Sequence, residues 1–213
     1  VTFTANTAVS VYATGVTATE NAQTTDAQST DAQALTPEEQ KAQELQQAYD
    51  MPVESNGYKD WPQGPGTYGE AGIVMEVGTG AILYAKNIDA HEYPASITKV
   101  LTALVALENG QLTDNVTFSH DSVAFLQRGD SSVGLKEGNV ITLDQAMHAM
   151  LLASANEAAY AIGESVGVNA GHDYNWFIEQ MNSRCKELGG ENSNFVNTNG
   201  LHDPNHYTCA RES

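Results

Sequence analysis

Apolar residues recur at helical spacing in three stretches of this chain, and a fourth stretch reads as paired strands. In the first, Ile97, Val100, Leu101, Leu104 and Val105 fall at i, i+3, i+4, i+7 and i+8, one face of a helix that Asn109-Gly110 ends. In the second, Thr142-Leu143-Asp144-Gln145 is a capping box. Leu143, Met147, Met150 and Leu151 line one face of the helix it starts, up to a break at Ala153-Ser154-Ala155-Asn156. Glu157-Ala158-Ala159-Tyr160-Ala161-Ile162-Gly163 follows as a small-residue helix able to approach a neighbour closely. In the third, Asp173 caps a helix with Tyr174, Phe177, Met181, Cys185 and Leu188 on its buried side and Gly189-Gly190 at its end. The strand signal is Gly72-Ile73-Val74-Met75-Glu76-Val77 and Ala81-Ile82-Leu83-Tyr84-Ala85 around Gly78-Thr79-Gly80, which predicts a hairpin. Residues 116–118 predict a short strand and residues 121–127 a short helix.

Before residue 57 the pattern fades. Residues 14–35 hold almost no large apolar side chain, and Thr25-Asp26-Ala27-Gln28 recurs as Thr30-Asp31-Ala32-Gln33. Such a segment cannot bury enough surface to offset its ordering entropy. Thr36-Pro37-Glu38-Glu39 then caps a polar helix to about Tyr49, with too few apolar residues to belong firmly to a core. The expected organisation is therefore a largely disordered tether over residues 1–56 carrying that helix, exported if the start of the chain is the tail of a signal, and a folded portion over residues 57–213. Val11-Tyr12-Ala13 has the ending of an export signal, but no basic start or clean apolar core precedes it.

Charge narrows the partners. Nine basic residues against 27 acidic ones give a formal charge of -18, which repels nucleic acid and anionic membrane surfaces. The longest apolar run is far short of a bilayer span, so no segment of these residues is expected to cross a membrane. The two cysteines do not indicate a disulfide framework; Cys185 reads as a small buried residue, and the sequence does not decide whether it pairs with Cys209. Pro204 between His202 and His206 denies that pair helical metal-ligand geometry, and no metal or cofactor is expected.

The chemistry lies at the start of the first helix, where Pro94-Ala95-Ser96-Ile97-Thr98-Lys99 places a hydroxyl and an amine three residues apart on one side. A serine hydroxyl needs an adjacent base at neutral pH, and a lysine serves only when neutral. Burial against an apolar helix and the positive end of the helix dipole both depress a lysine there. The N–H groups of the same helix start are free donors for a developing oxyanion.

Downstream of this Ser-x-x-Lys stands Ser154-Ala155-Asn156 at a helix junction. Together they resemble the motifs of the penicillin-recognising serine hydrolases, and their context resembles the low-molecular-weight D-alanyl-D-alanine carboxypeptidases of peptidase family S11. Leu151-Leu152-Ala153-Ser154-Ala155-Asn156-Glu157-Ala158-Ala159 looks like that family's second motif. Ser131-Ser132-Val133-Gly134-Leu135 with Glu137-Gly138, and residues 194–203, resemble two further signatures. The resemblance covers roughly residues 70–211. It implies an α/β chain of the β-lactamase/transpeptidase-like fold, a helical cluster with part of an antiparallel sheet. It also implies Ser96 as nucleophile toward a peptidoglycan stem peptide ending in D-Ala-D-Ala, Lys99 as base, Ser154 as proton relay and Asn156 as substrate binder. β-Lactams would be trapped on the same serine, and the setting would be extracytoplasmic in a bacterium.

The family's third motif, Lys-Thr-Gly, does not occur in the sequence. The resemblance then implies a domain lacking its C-terminal portion, acylating slowly or not at all, and less stable than a longer homologue or reliant on self-association. Two alternatives stand beside the carboxypeptidase. A class A β-lactamase would usually show Ser-Asp-Asn where this chain has Ser154-Ala155-Asn156, and a non-catalytic binding module would keep the fold without turnover.

Overall fold

Helix α5 (Asn156–Asn169) occupies the middle of the core because its residues are too small to hold neighbours away. In a computed structural model that describes residues 35–213, it packs against α2 (Thr98–Asn109), α4 (Leu143–Leu152) and α6 (Tyr174–Glu187). Ala158, Ala159, Ala161 and Ile162 of α5 are wholly buried beside Val105, Met150, Phe177 and Met181. A Cβ on Gly167 would stand 2.4 Å from the Asp173 carbonyl oxygen, so the chain entering α6 crosses α5 at a distance only glycine permits. The export-signal ending and the repeated polar segment, up to residue 34, lie outside the described residues.

Two antiparallel ribbons flank the helices. Strands β1 (Gly72–Met75) and β2 (Ile82–Lys86) form the expected hairpin, with Ile73 opposite Ala85 and Val74 opposite Tyr84. Strand β3 (Asn115–Thr117) pairs with β4 (Val140–Thr142), an element too short to show alternation in the sequence. Thr142 ends β4 and caps α4 in the expected capping box with Gln145. Between the paired strands, α3 (His120–Ala124) is capped by Ser119 and stops three residues before the expected end at Gln127.

Three expectations about faces change. The stripe from Ile97 through Val100 to Leu104 does not face the core of the described residues: Ile97 is 55% and Val100 64% exposed, and with Leu101 and Leu104 they line an open groove of about 420 Å³. Helix α2 buries Thr98, Lys99 and Thr102 together with Ala103, Val105 and Ala106, because each polar group has a partner inside. Thr102 Oγ1 donates to the Thr198 carbonyl, and Thr98 Oγ1 meets His206 Nε2 at 2.8 Å. Likewise Leu151 and Leu188, expected on buried faces, are largely exposed.

The polar helix α1 (Pro37–Asp50) belongs to the compact unit, which runs from Pro37 to Ser213, whereas the sequence assigned it to a tether ending at residue 56. Its anchor is polar and so was invisible to hydropathy. The fully buried Lys86 amine donates to the carbonyls of Ala48 (2.5 Å), Thr67 (2.7 Å) and Gly69 (2.7 Å). Cys185 and Cys209 are buried free thiols, both pushed up by burial.

Candidate active site

Ser96 sits in a 3-10 turn (Ala95–Ile97) that leads into α2. The turn starts from a left-handed residue, Ala95 with φ 47°, and is braced from outside. Gly200, with φ 82°, lies so close that a Cβ there would stand 1.8 Å from the Ala95 carbonyl oxygen. Asn197 shapes the Gly200 loop: its Oδ1 accepts from Gly200 N (2.7 Å) and its Nδ2 donates to the Leu201 carbonyl (2.9 Å). The Ile97 and Thr98 N–H groups are taken up by the carbonyls of Pro94 and of Ala95 and Ser96. Contrary to the sequence expectation, those two donors are not free for an oxyanion.

One turn further, Lys99 is 2% exposed and its Nζ meets three acceptors: Ser96 Oγ at 3.0 Å, Asn156 Oδ1 at 2.9 Å and the Asn199 carbonyl at 2.6 Å. Burial depresses the amine to about 8, against the opposing charge of Glu157. Ser154 occupies the break between α4 and α5 in a left-handed conformation, φ 54°, and its Oγ donates to Ser96 Oγ at 2.8 Å. Asn156 begins α5, and its N–H bonds the Ser131 carbonyl. The structure thus brings Ser96, Lys99, Ser154 and Asn156, all singled out in the sequence, into one cluster.

Three participants were not singled out. Asn199 contributes its main-chain carbonyl, for which no residue type is diagnostic. Gly200 and Glu157 fall inside quoted motifs, but their positions become informative only with the neighbouring chain in place. His206 also acquires a role: its Nδ1 accepts from Val196 N (3.1 Å), so the Nε2 hydrogen faces Thr98. Burial lowers this imidazole to about 4 and keeps it neutral under the start of α2. Among the described residues no cluster of three or more His, Cys, Asp or Glu side chains is placed to hold a metal ion.

Chemically, the arrangement suits acyl transfer. A protonated Lys99 uses all three hydrogens on its three acceptors. Once it loses one, the Asn156 and Asn199 carbonyl oxygens, which only accept, retain the other two. The lone pair then faces Ser96 Oγ, the single partner with a proton to give.

The family model described as D-alanyl-D-alanine carboxypeptidase, peptidase S11, matches residues 62–213. The D-alanyl-D-alanine carboxypeptidase DacA of Haemophilus influenzae is 32% identical over 145 residues, 66% of this chain and 36% of that protein. DacF of Bacillus subtilis is 32% identical over 146 residues, with the same coverage of 66% and 36%. Among solved structures, penicillin binding protein 5 from Haemophilus influenzae superposes with a TM-score of 0.63 at 30% identity, over 71% of this chain and 44% of that one. The Streptomyces K15 DD-transpeptidase gives 0.59 at 29% identity, over 66% and 55%. The chain thus spans about a third of the length of these two carboxypeptidases, and its helical cluster with small antiparallel ribbons is part of the transpeptidase-like fold of the solved structures.

Proposed function

The chain belongs to the D-alanyl-D-alanine carboxypeptidase family, peptidase family S11, and on that premise we propose that it is a serine-type D-alanyl-D-alanine carboxypeptidase trimming peptidoglycan stem peptides. Ser96 Oγ attacks the carbonyl carbon between the two terminal D-alanines while its proton passes to Lys99 Nζ. A C–O bond forms, the C–N bond breaks, and the proton returns through the Ser154 hydroxyl to the leaving amine. Asn156 holds the substrate amide. Water then hydrolyses the ester with Lys99 again as base, releasing the shortened peptide and regenerating Ser96. A β-lactam opened by the same attack stays bound as an ester.

The observation that carries this reading is the orientation of Lys99: two carbonyl acceptors fix two of its hydrogens, so its lone pair is aimed at the Ser96 hydroxyl 3.0 Å away. The relatives are bacterial D,D-carboxypeptidases, which supports a setting at the cell wall, outside the cytoplasmic membrane. No helix among the described residues is long and apolar enough to cross a membrane.

The test is mass spectrometry after prolonged incubation with benzylpenicillin. The expected result is one drug mass added to the peptide containing Ser96, and none in Ser96→Ala. An absent adduct removes the proposal, and rapid hydrolysis without accumulation replaces it with a β-lactamase.

A further inference from the structure

The loop after α6 reaches the Lys99 amine through bare main chain, in a stretch that belongs to no helix or strand able to hold it. Side chains hold it instead. The consecutive carbonyls of Thr198 and Asn199 accept from Thr102 Oγ1 (2.7 Å) and Lys99 Nζ (2.6 Å), both on α2. The Thr198 N–H donates to Tyr174 Oη at 3.1 Å, and the hydroxyls of Tyr174 and Thr198 meet at 3.2 Å. Tyr174 is the first residue of α6, whose start is fixed by Asp173 accepting from Trp176 N at 2.9 Å. Its ring stacks on Tyr160, with centroids 4.2 Å and planes 13° apart. One turn along α5, a Cβ on Gly163 would stand 2.9 Å from Thr198 Cγ2 and 3.0 Å from Tyr174 Cε2. The glycine therefore admits the ring and the loop together against one face of α5. Packing accounts for the ring but not for its hydroxyl, since phenylalanine would stack on Tyr160 and fit Gly163 equally well. Burial pushes the phenol up to about 12, which keeps it a neutral hydrogen-bonding group.

We propose that Tyr174 is a positioning residue for Lys99: its hydroxyl fixes the main chain at Thr198, so that the next carbonyl, that of Asn199, is held on the lysine amine. The inference rests on the reading of Lys99 as the base. A buried N–H needs an acceptor wherever it lies, and a tyrosine that only satisfied one could do so at any point of the loop. This N–H belongs to the residue between Asn197, whose side chain shapes the Gly200 turn, and Asn199, whose carbonyl fixes one hydrogen of the amine. With the Thr198 carbonyl tied to Thr102, the bond from Tyr174 fixes Thr198 at both ends and leaves the Asn199 carbonyl little freedom to turn. Without the hydroxyl, the main chain of Thr198 keeps only its tie to α2. The acceptor that helps to aim the Lys99 lone pair at Ser96 Oγ then loosens.

The experiment uses Tyr174→Phe, which deletes the hydroxyl and keeps the ring, its stack on Tyr160 and its fit against Gly163. Two quantities are read: the rate of benzylpenicillin addition to Ser96 above the Lys99 midpoint of about 8, and that midpoint itself. The midpoint is followed by the Lys99 13Cε resonance in protein labelled at lysine, assigned by its loss in Lys99→Arg. The rate is expected to fall by on the order of tenfold, because the base is neutral but misaimed. The midpoint is expected to fall by on the order of half a pH unit, because the charged amine loses part of one acceptor. The groups that touch the amine carry no charge, and the field of Glu157 is common to both proteins, so the midpoint reports the acceptors. Val116→Ala, a truncation in the core at β3, controls for lost stability and should leave both readings as in the wild type. A midpoint that stays put in Tyr174→Phe, or a rate within about twofold of the wild type, overturns the proposal. Equal changes in Val116→Ala overturn it as well, and so does a Tyr174→Phe chain that does not fold, since Tyr174 would then support the fold rather than the lysine. Wild-type protein that never acquires a penicillin adduct removes the catalytic reading alone, and the midpoint then decides whether Tyr174 holds the carbonyl on the amine.

Discussion

Lys99 Nζ stands 2.6 Å from the main-chain carbonyl oxygen of Asn199, 100 residues further along the chain. Because the acceptor is backbone, no side-chain substitution at position 199 removes it. The aim of the lysine is therefore set by the path of the Asn197–Leu201 loop, and that path depends on Gly200.

Gly200→Ala is expected to unseat Ser96, the proposed nucleophile. The added Cβ would press on the Ala95 carbonyl, a main-chain atom with no rotamer to change, at a φ of 82° that alanine disfavours. We expect a loss of at least about 3 kcal/mol in urea unfolding, together with loss of the penicillin adduct. A variant that unfolds like the wild type would show that the turn and the loop are not pressed together.

Penicillin acylation of Ser96 should rise with pH through a midpoint near 8. Lys99 is a base only when deprotonated, and burial brings that step down to about 8. Lys99→Arg keeps a cation but supplies no base in this range, so acylation should fall by a factor of about 100 or more at every pH. A pH-independent rate in the wild type would remove Lys99 from the proton transfer.

His206 makes stability depend on pH in a stated window. Burial holds the folded imidazole at about 4 against 6.5 in the unfolded chain, so the unfolded state takes up its proton first. The stability carried by neutral His206 is complete above pH 6.5 and is lost as pH falls toward 4, by about 3 kcal/mol at most. His206→Gln should flatten that part of the curve in thermal melts between pH 7 and 4. An equally steep curve in the variant would assign the pH dependence to other groups.

Lys86→Met should release α1. The three carbonyls that share the amine would be left without their donor, at a cost of about 2–4 kcal/mol. Hydrogen exchange would then quicken in α1 ahead of α5. Uniform protection across both helices would mean that the tilted ring contact of Tyr49 and Tyr68, with centroids 4.9 Å apart, suffices to hold it.

The residues that could be read in advance are those whose signal is local. Thr142 with Gln145 and Asp173 at its helix start each announce a cap within four positions, and both caps are present. Ser96 and Lys99 share a turn by spacing alone, and family motifs singled out Ser154 and Asn156. What escaped depends on distant partners. The first turns of α2 bury Thr98 and Thr102 beside the apolar Ala103, Val105 and Ala106 because His206 and Thr198 arrive from the other end of the chain. Hydropathy therefore found Val105 and Leu101 but misplaced Ile97 and Val100. Lys86 carries no signal in the sequence, since only the folded chain brings three carbonyls around its amine.

Ala95 and Ser154 both hold left-handed backbone conformations, one beside the nucleophile and one bonded to it. Glycine would occupy either site with less penalty, at the expense of a methyl group at 95 and, at 154, of the hydroxyl that bonds Ser96. Any search for heat-tolerant versions of this protein will therefore be drawn to these two places. On the proposed mechanism, what it gains in durability at Ser154 it will surrender in turnover.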